Sequence, residues 1–370
     1  MLDTADIMTV AATELKYISY LLDKKFKGFG KVNVSNDETE AYLKLKNHWI
    51  SNIKLKSRGF DDKETVIYLS FSYPRYFSEN NIELIKTETE RAEVNKELLK
   101  IIQEFSNDKT LKMQHLFYLR VDVAQQFEDI FEDYHQIFAL VYQTFVESMG
   151  IENKKSKKYL QIAGNQDYTT GFTYKYSDYR ITVYNKTAES DKKRYIPGRK
   201  SIIRVEQAFT PKVFKKRVSK KEPVMKLNEF TMSKLKKEYA HFLEERLWDK
   251  LNLVLENQSN ELRKRLLKIL KKVNPPLRAE IKDMQNYILD FEMVKNIIKN
   301  SNVNVTDRMK YNYINWAKES LIDTERNGST KTKFFNNFPR LEKLLNNMTG
   351  IKTKIEFIQG IPKIDSLKYW

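Results

Sequence analysis

The dominant period of the apolar pattern shifts near residue 230, and that shift limits the fold more than any other feature. Up to about residue 225, apolar side chains recur mainly at every second position. They do so in Thr65 to Ser72 (TVIYLSFS), Leu116 to Asp122 (LFYLRVD), Thr170 to Tyr176, Tyr179 to Lys186 (YRITVYNK) and Ser201 to Phe209 (SIIRVEQAF). A period of two sends successive side chains to opposite faces, the mark of half-buried strands. From Met232 onward the interval becomes three to four residues. Trp248, Leu251 and Leu255, then Leu262, Leu266, Ile269 and Val273, line one helical stripe until Pro275 and Pro276 stop it. Further helices are predicted from about Thr306 to Asp323 and from Phe334 to Asn347. The expectation is an α+β chain. An antiparallel-sheet domain with packed helices covers 1–225, and a mainly helical domain covers 226–370.

Inside the first domain, Val94, Leu98, Ile101 and Phe105 predict a core-facing helix from Glu88 to Phe105. Pro74 ends the Thr65 to Ser72 strand. The stripe Phe127, Phe131, Tyr134, Phe138, Val141 and Phe145 predicts a long helix beginning directly after the strand that ends at Asp122. Residues 1–60 read as short β-like pieces and loops, with Lys25 to Lys31 a glycine-punctuated basic segment.

Charge narrows the choice of partner. Lys and Arg number 66 against 49 Asp and Glu, a formal net charge of +17. Such a field attracts polyanions, nucleic acid first and an anionic membrane surface second. Part of the lysine excess fits the codon bias of an AT-rich genome. No apolar run approaches the roughly 18 residues needed to cross a bilayer. The first residues lack the form of a secretory signal, so a cytoplasmic location is expected. The chain has no cysteine, which excludes disulfides, thiolate metal sites and cysteine nucleophiles. Its four histidines, at 48, 115, 135 and 241, form no closely spaced pair.

Three strands carry a polar pair at period two: Arg120 with Asp122, Tyr184 with Lys186, and Arg204 with Glu206. If these strands are neighbours with the faces aligned, a tyrosine, two carboxylates and several cations converge. Oxygen ligands of this kind suit Mg²⁺ or Mn²⁺. A tyrosine hydroxyl titrates near pH 10, so it needs a neighbouring cation, a base or a polarised phosphate to act as a nucleophile. The same residues have plainer roles open to them. Asp122 suits a helix N-cap, and Arg204 with Glu206 suits a surface ion pair.

The order of motifs resembles a known family. Phe71-Ser72-Tyr73-Pro74-Arg75-Tyr76-Phe77-Ser78-Glu79-Asn80-Asn81 is followed by Leu119-Arg120-Val121-Asp122. Tyr184-Asn185-Lys186-Thr187-Ala188-Glu189 comes next, then Ile203-Arg204-Val205-Glu206 with Phe214-Lys215 beyond. This series is similar to the gene II replication proteins of filamentous phages and their plasmid relatives, over roughly the first 220 residues. The resemblance implies rolling-circle replication initiation. A tyrosine nicks one strand of origin DNA, holds the 5′ end as a phosphotyrosine, leaves a 3′-OH primer and later rejoins the displaced strand. On this resemblance Tyr184 is the nucleophile, with Lys186 and Glu189 in the same motif, Asp122 and Glu206 as metal ligands, and Tyr174 as the reserve nucleophile.

The expected DNA contacts are Arg120, Arg204, Lys215, Lys216 and Arg217 in the first domain, and Arg263, Arg265, Lys310 and Lys331 in the second. The second domain is expected to recognise the origin. The partners implied are supercoiled double-stranded and single-stranded origin DNA, a host helicase and a polymerase, with no membrane. Two other functions fit the same residues: a mobilisation relaxase of similar chemistry, and a non-catalytic DNA-binding regulator of a replicon.

Overall fold

The computed structural model describes the chain apart from residues 59–62, 80, 135–136, 139, 142, 145–159, 165–168, 176–178, 191–195, 211–224, 273–289, 303–304, 321–336, 350–352, 359–360 and 367–370. It is an α+β protein, with an antiparallel sheet built mainly from the first part of the chain and helices concentrated in the later part. In chain order the strands are β1 (Leu2–Ala11), β2 (Val32–Val34), β3 (Glu40–Lys44), β4 (Ile50–Arg58), β5 (Glu64–Ser72), β6 (Phe117–Ile130), β7 (Leu160–Gly164), β8 (Thr169–Lys175), β9 (Tyr179–Asn185), β10 (Lys200–Phe209), β11 (Met225–Lys226), β12 (Thr353–Ile358) and β13 (Ile361–Ser366). The α-helices are α1 (Leu15–Lys25), α2 (Tyr73–Phe77), α3 (Glu88–Ser106), α4 (Lys186–Ser190), α5 (Met232–Leu243), α6 (Asp249–Leu270), α7 (Phe291–Lys299), α8 (Asp307–Ser320) and α9 (Asn337–Thr349).

The chain forms two compact units that interleave in sequence. Unit 1 holds Met1–Gln125, Thr173–Thr182 and Arg204–Tyr239, and unit 2 holds Gln126–Phe172, Val183–Ile203 and Ala240–Trp370. The boundary expected at 225/226 falls within unit 1.

In unit 1 the strand order is β2-β3-β4-β5-β1-β6, running on to β10, β9 and β8, with β11 also paired to β6. Alternation is strict where the sheet is regular. Ile53 and Leu55 on β4, Ile67 and Leu69 on β5, and Ala5 and Ile7 on β1 are all at most 1% exposed. They share the face against which α1 lays Leu15, Ile18 and Leu22. Removing these apolar groups from water supplies the main stabilising force. Helix α3 starts with a capping box, in which Thr87 Oγ1 accepts from Glu90 N and the Glu90 carboxylate accepts from Thr87 N. It ends at Asn107, which adopts the left-handed conformation (φ 52°) that Asn tolerates better than most residues.

Two expectations needed correction. The strand leading to Asp122 does not give way directly to a helix; helical residues come only from Ile137 on, where Phe138 and Val141 of the expected stripe are buried. The strand continues to Ile130, and Phe131–Tyr134 is a single 3₁₀ turn. The aromatic residues spaced at three and four were read as one helical stripe, but Phe127 is still strand, and Phe131 and Tyr134 pack as a buried turn. Phe145 lies outside the described residues. The second correction concerns the N-terminus: residues 1–60 contain the ten-residue strand β1, which is central to the sheet, and the helix α1.

In unit 2, α6, α7 and α9 bury Leu251, Leu255, Leu262, Leu266, Val294, Ile298, Leu341, Leu344 and Leu345. Asp290 caps α7, accepting from Glu292 N at 2.9 Å, and also accepts from Phe338 N on α9 at 3.2 Å. A β12–β13 hairpin follows α9. No helix among the described residues is long and apolar enough to cross a membrane.

Candidate functional site

Two irregularities in the pairing of β1 with β6 shape the polar cluster of unit 1. Leu2 pairs with Val123 and Ala5 with Val121, so Asp3 and Thr4 together oppose the single residue Asp122. Asp6 then pairs with Arg120 and Ile7 with Tyr118, leaving Leu119 as an extra residue on β6. Each bulge re-aims the side chains beside it. Thr4 Oγ1 donates to Asp122 Oδ2 at 2.5 Å, while Asp3 accepts from Arg204 Nη1 at 3.1 Å.

Asp122 is 2% exposed and lies inside a strand, so it is not an N-cap. Its Oδ2 also accepts from Arg120 Nη2 at 3.0 Å and Arg180 Nη2 at 3.4 Å, and its Oδ1 has no hydrogen-bond partner among the described residues. Burial pushes the Asp122 carboxyl above the usual range, against the pull of Arg120, Thr4 and Arg180. Arg120 Nη1 also lies 3.3 Å from Asp6.

Arg204 departs from its expected role as a DNA contact. Its side chain is 0% exposed, and its Nη2 donates to the carbonyls of Asn81 at 2.8 Å and Ile82 at 2.5 Å. The guanidinium is spent on pinning β10 to β1 and to the loop before α3. Glu206 stands 3.9 Å from Arg204.

The oxygens of this cluster are mostly taken up by cations and a hydroxyl, with Asp122 Oδ1 left over. The groups that approach the Asp122 carboxylate are two guanidinia and a hydroxyl, and Glu206 faces an arginine. Mg²⁺ and Mn²⁺ need oxygens left free to turn inward. Among the described residues, no group of three or more His, Cys, Asp or Glu is disposed to hold a metal ion. Asp122 and Glu206, the expected metal ligands, sit beside arginines in this structure.

The second cluster lies in unit 2. Ile181, Val183 and Asn185 of β9 are buried while Thr182 and Tyr184 are partly exposed, as the alternation predicts. Lys186 breaks the pattern. The strand ends at Asn185, and Lys186 is the first residue of α4. Asn185 makes the junction: its Oδ1 accepts from Ala188 N at 3.0 Å and its Nδ2 donates to Ser201 Oγ at 2.9 Å. Thr187 Oγ1 accepts from Ile202 N at 3.0 Å, a second tie between α4 and β10.

That turn carries Lys186 inward. Its side chain is 0% exposed, with Nζ 2.6 Å from Glu189 Oε2 and 5.8 Å from the centroid of the Tyr184 ring. Glu189, one helical turn away, is 55% exposed. Gly171 on β8 lies so close that a Cβ there would stand 2.6 Å from Tyr184 Cβ and 2.5 Å from Val183 O. Nothing in the sequence pattern marks Gly171 or Asn185 for this role. A glycine inside a strand-like run is a weak sign of close backbone approach.

The other expected positions divide. Lys215, Lys216, Arg217 and Lys331 lie outside the described residues, as does the side chain of Tyr174 on β8. Arg263 and Arg265 are half-buried on α6. Lys310 Nζ donates to the carbonyls of Lys299 and Ser301 at 3.3 and 3.0 Å, so it caps the C-terminal end of α7.

No family model matches the chain, and no curated protein matches it. Among solved structures, a crystal structure of the di-domain ARO/CYC BexL from the BE-7585A biosynthetic pathway is similar over 66% of this chain and 98% of its own. The identity is 7% and the TM-score 0.18, values that carry no argument about fold or function.

Proposed function

We propose that this chain is a rolling-circle replication initiator that nicks and rejoins one strand of origin DNA, with Tyr184 as the nucleophile. The observation that supports this reading is the buried lysine beside a partly exposed tyrosine: Lys186 Nζ at 5.8 Å from the Tyr184 ring, its charge matched by Glu189 at 2.6 Å. An ammonium held away from water favours the phenolate form of a nearby tyrosine, because Coulomb attraction is weakly screened there. Lys186 is the electrostatic helper, and Glu189 is its ion-pair partner.

In the nicking step the Tyr184 oxygen bonds to the scissile phosphorus as the P–O3′ bond breaks. The departing 3′ oxygen takes up a proton and becomes the primer hydroxyl, and the phenol proton passes to solvent. Reversal by a free 3′-OH rejoins the strand and restores the tyrosine. The net charge of +17 supports the choice of a polyanionic substrate. Arg120, 32% exposed and held by Asp6 and Asp122, is the unit-1 cation best supported as a phosphate contact.

The test is incubation of the full chain with supercoiled DNA of its own replicon, with Mg²⁺, with Mn²⁺ and with chelator, followed by detection of a protein-linked nicked circle. An adduct that forms with wild type and disappears in Tyr184→Phe supports the reading. An adduct that survives in Tyr184→Phe moves the nucleophile to another tyrosine, Tyr174 first. Binding without nicking under all three conditions favours the regulator.

A further inference from the structure

In unit 1, the sheet face opposite α1 is polar and open, and its side chains fall into register. Tyr42 on β3 pairs with Lys54 on β4, which pairs with Tyr68 on β5. One row along, Lys44 pairs with Asn52 and Asn52 with Ser70. On the other side of the first row, Glu40 pairs with Lys56. The neighbours of these residues along each strand, Ala41, Leu43, Ile53, Leu55, Ile67 and Leu69, are buried on the helix side.

The first row is an aromatic ring, a cation and a second ring. Neighbouring strands lie about 4.8 Å apart, so Tyr42 and Tyr68 stem from backbone positions about 10 Å apart, with Lys54 on the strand between them. Tyr42 is 42% exposed, an unusual burden of apolar surface for a strand residue, and its hydroxyl donates to Asn52 Oδ1 at 3.0 Å, which fixes the ring. Tyr68 is half-buried. On β3 and β4 the charges on these rows are Lys44, Lys54 and Lys56 against Glu40, and the Lys44 row continues through Ser70 to Asp6 on β1, which is paired with Arg120. Glu40 lies 2.8 Å from Lys54 and 3.4 Å from Lys56; the lysines are exposed and Glu40 is partly so. Exposed pairs of this kind hold weakly, so an incoming phosphate exchanges readily for the carboxylate.

We propose that this face binds single-stranded nucleic acid, with bases stacked on Tyr42 and Tyr68 and the backbone phosphate between them on Lys54. Flat rings spaced around a cation match a chain that alternates flat bases with anions. Duplex DNA keeps its bases stacked inside and has no use for the rings. An acidic peptide uses the lysines but gains little from the tyrosines. The proposal does not depend on Tyr184.

The experiment is fluorescence anisotropy of a labelled 20-nucleotide oligothymidine with the full chain at fixed salt. Wild type is compared with Tyr42→Ala, Tyr68→Ala, Lys54→Ala and Tyr42→Phe, and thermal unfolding is recorded for each. The expected result is a loss of about tenfold for each Tyr→Ala, with Tyr42→Phe close to wild type. Lys54→Ala weakens binding and lowers its salt dependence. The proposal is overturned if wild type does not bind the oligonucleotide, or if a folded Tyr42→Ala/Tyr68→Ala double variant binds as wild type does. It is also overturned if polyglutamate or duplex DNA displaces the probe as well as unlabelled oligothymidine. Loss of binding in the tyrosine variants with no nicking by wild type upholds this surface and removes the nicking reading. Nicking with unchanged binding in the double variant does the reverse.

Discussion

Lys186 is wholly enclosed, yet its ammonium stands 2.6 Å from the carboxylate of Glu189, which is more than half exposed. The inner partner is fixed by packing and the outer one reaches it from solvent. Lys186→Met keeps the length of the side chain and removes the charge. Because the carboxylate left behind, Glu189, is more than half exposed and stays hydrated, thermal unfolding is expected to move little. Nicking is expected to fall by about a hundredfold or more, as when one preorganised charge is removed from an active site. Strand nicking at wild-type rate by a folded Lys186→Met variant would dismiss the electrostatic role.

Gly171→Ala is expected to disturb the same site from β8. Its Cβ would meet backbone and Cβ atoms of Val183 and Tyr184 inside van der Waals contact, and these cannot move aside as a flexible side-chain tip can. The expected outcome is a loss of about 1–3 kcal/mol in denaturant unfolding together with slower nicking. Unchanged stability would mean that β8 and β9 separate at little cost.

Arg204 and Arg120 are expected to part company. Arg204→Ala leaves Asp3 and two carbonyls without their donor in a buried place, a cost of about 3–5 kcal/mol. Arg120→Ala, at a side chain about a third exposed, is expected to cost less in stability and more in DNA affinity. Urea unfolding and binding titrations on the two variants separate these roles.

Asp290 is expected to give unit 2 a pH dependence. Burial pushes its carboxyl up to about 6, although hydrogen bonds from Phe338 and Glu292 favour the ionised form. The folded state therefore holds its proton at a pH where the unfolded chain has lost it. Stability from this group is present below about pH 4 and is lost as pH rises through about 6. The shift of roughly two units corresponds to about 3 kcal/mol. Asp290→Asn is expected to flatten that part of the stability profile while keeping an acceptor for α7, as unfolding curves between pH 4 and pH 7 will test.

Much of the fold was legible because period and burial go together. The strands from Glu64, Tyr179 and Lys200 and the helices from Glu88, Met232, Asp249 and Asp307 lie close to where the pattern put them. Strand β1 was harder to read, since Asp3, Thr4, Asp6 and Thr9 sit among its apolar residues. Asp3 and Thr9 are nonetheless buried, Asp3 because Arg204 is there to meet it. The helix expected directly after Asp122 begins only past Tyr134, because aromatic spacing of three and four residues also serves a strand that runs into a tight buried turn.

The sequence by itself determined the α+β class, the positive charge and the pairing of Tyr184 with Lys186 in one short motif, since these depend only on local spacing and composition. Only the tertiary structure decided what those residues face. Two bulges between β1 and β6 turned Asp122 toward Thr4, Arg120 and Arg180, and turned Asp3 toward Arg204. The end of β9 at Asn185 turned Lys186 from a strand face into the interior. A shift of one residue in a strand reverses every face beyond it, and such a shift is set by the partner strand, which local spacing does not record.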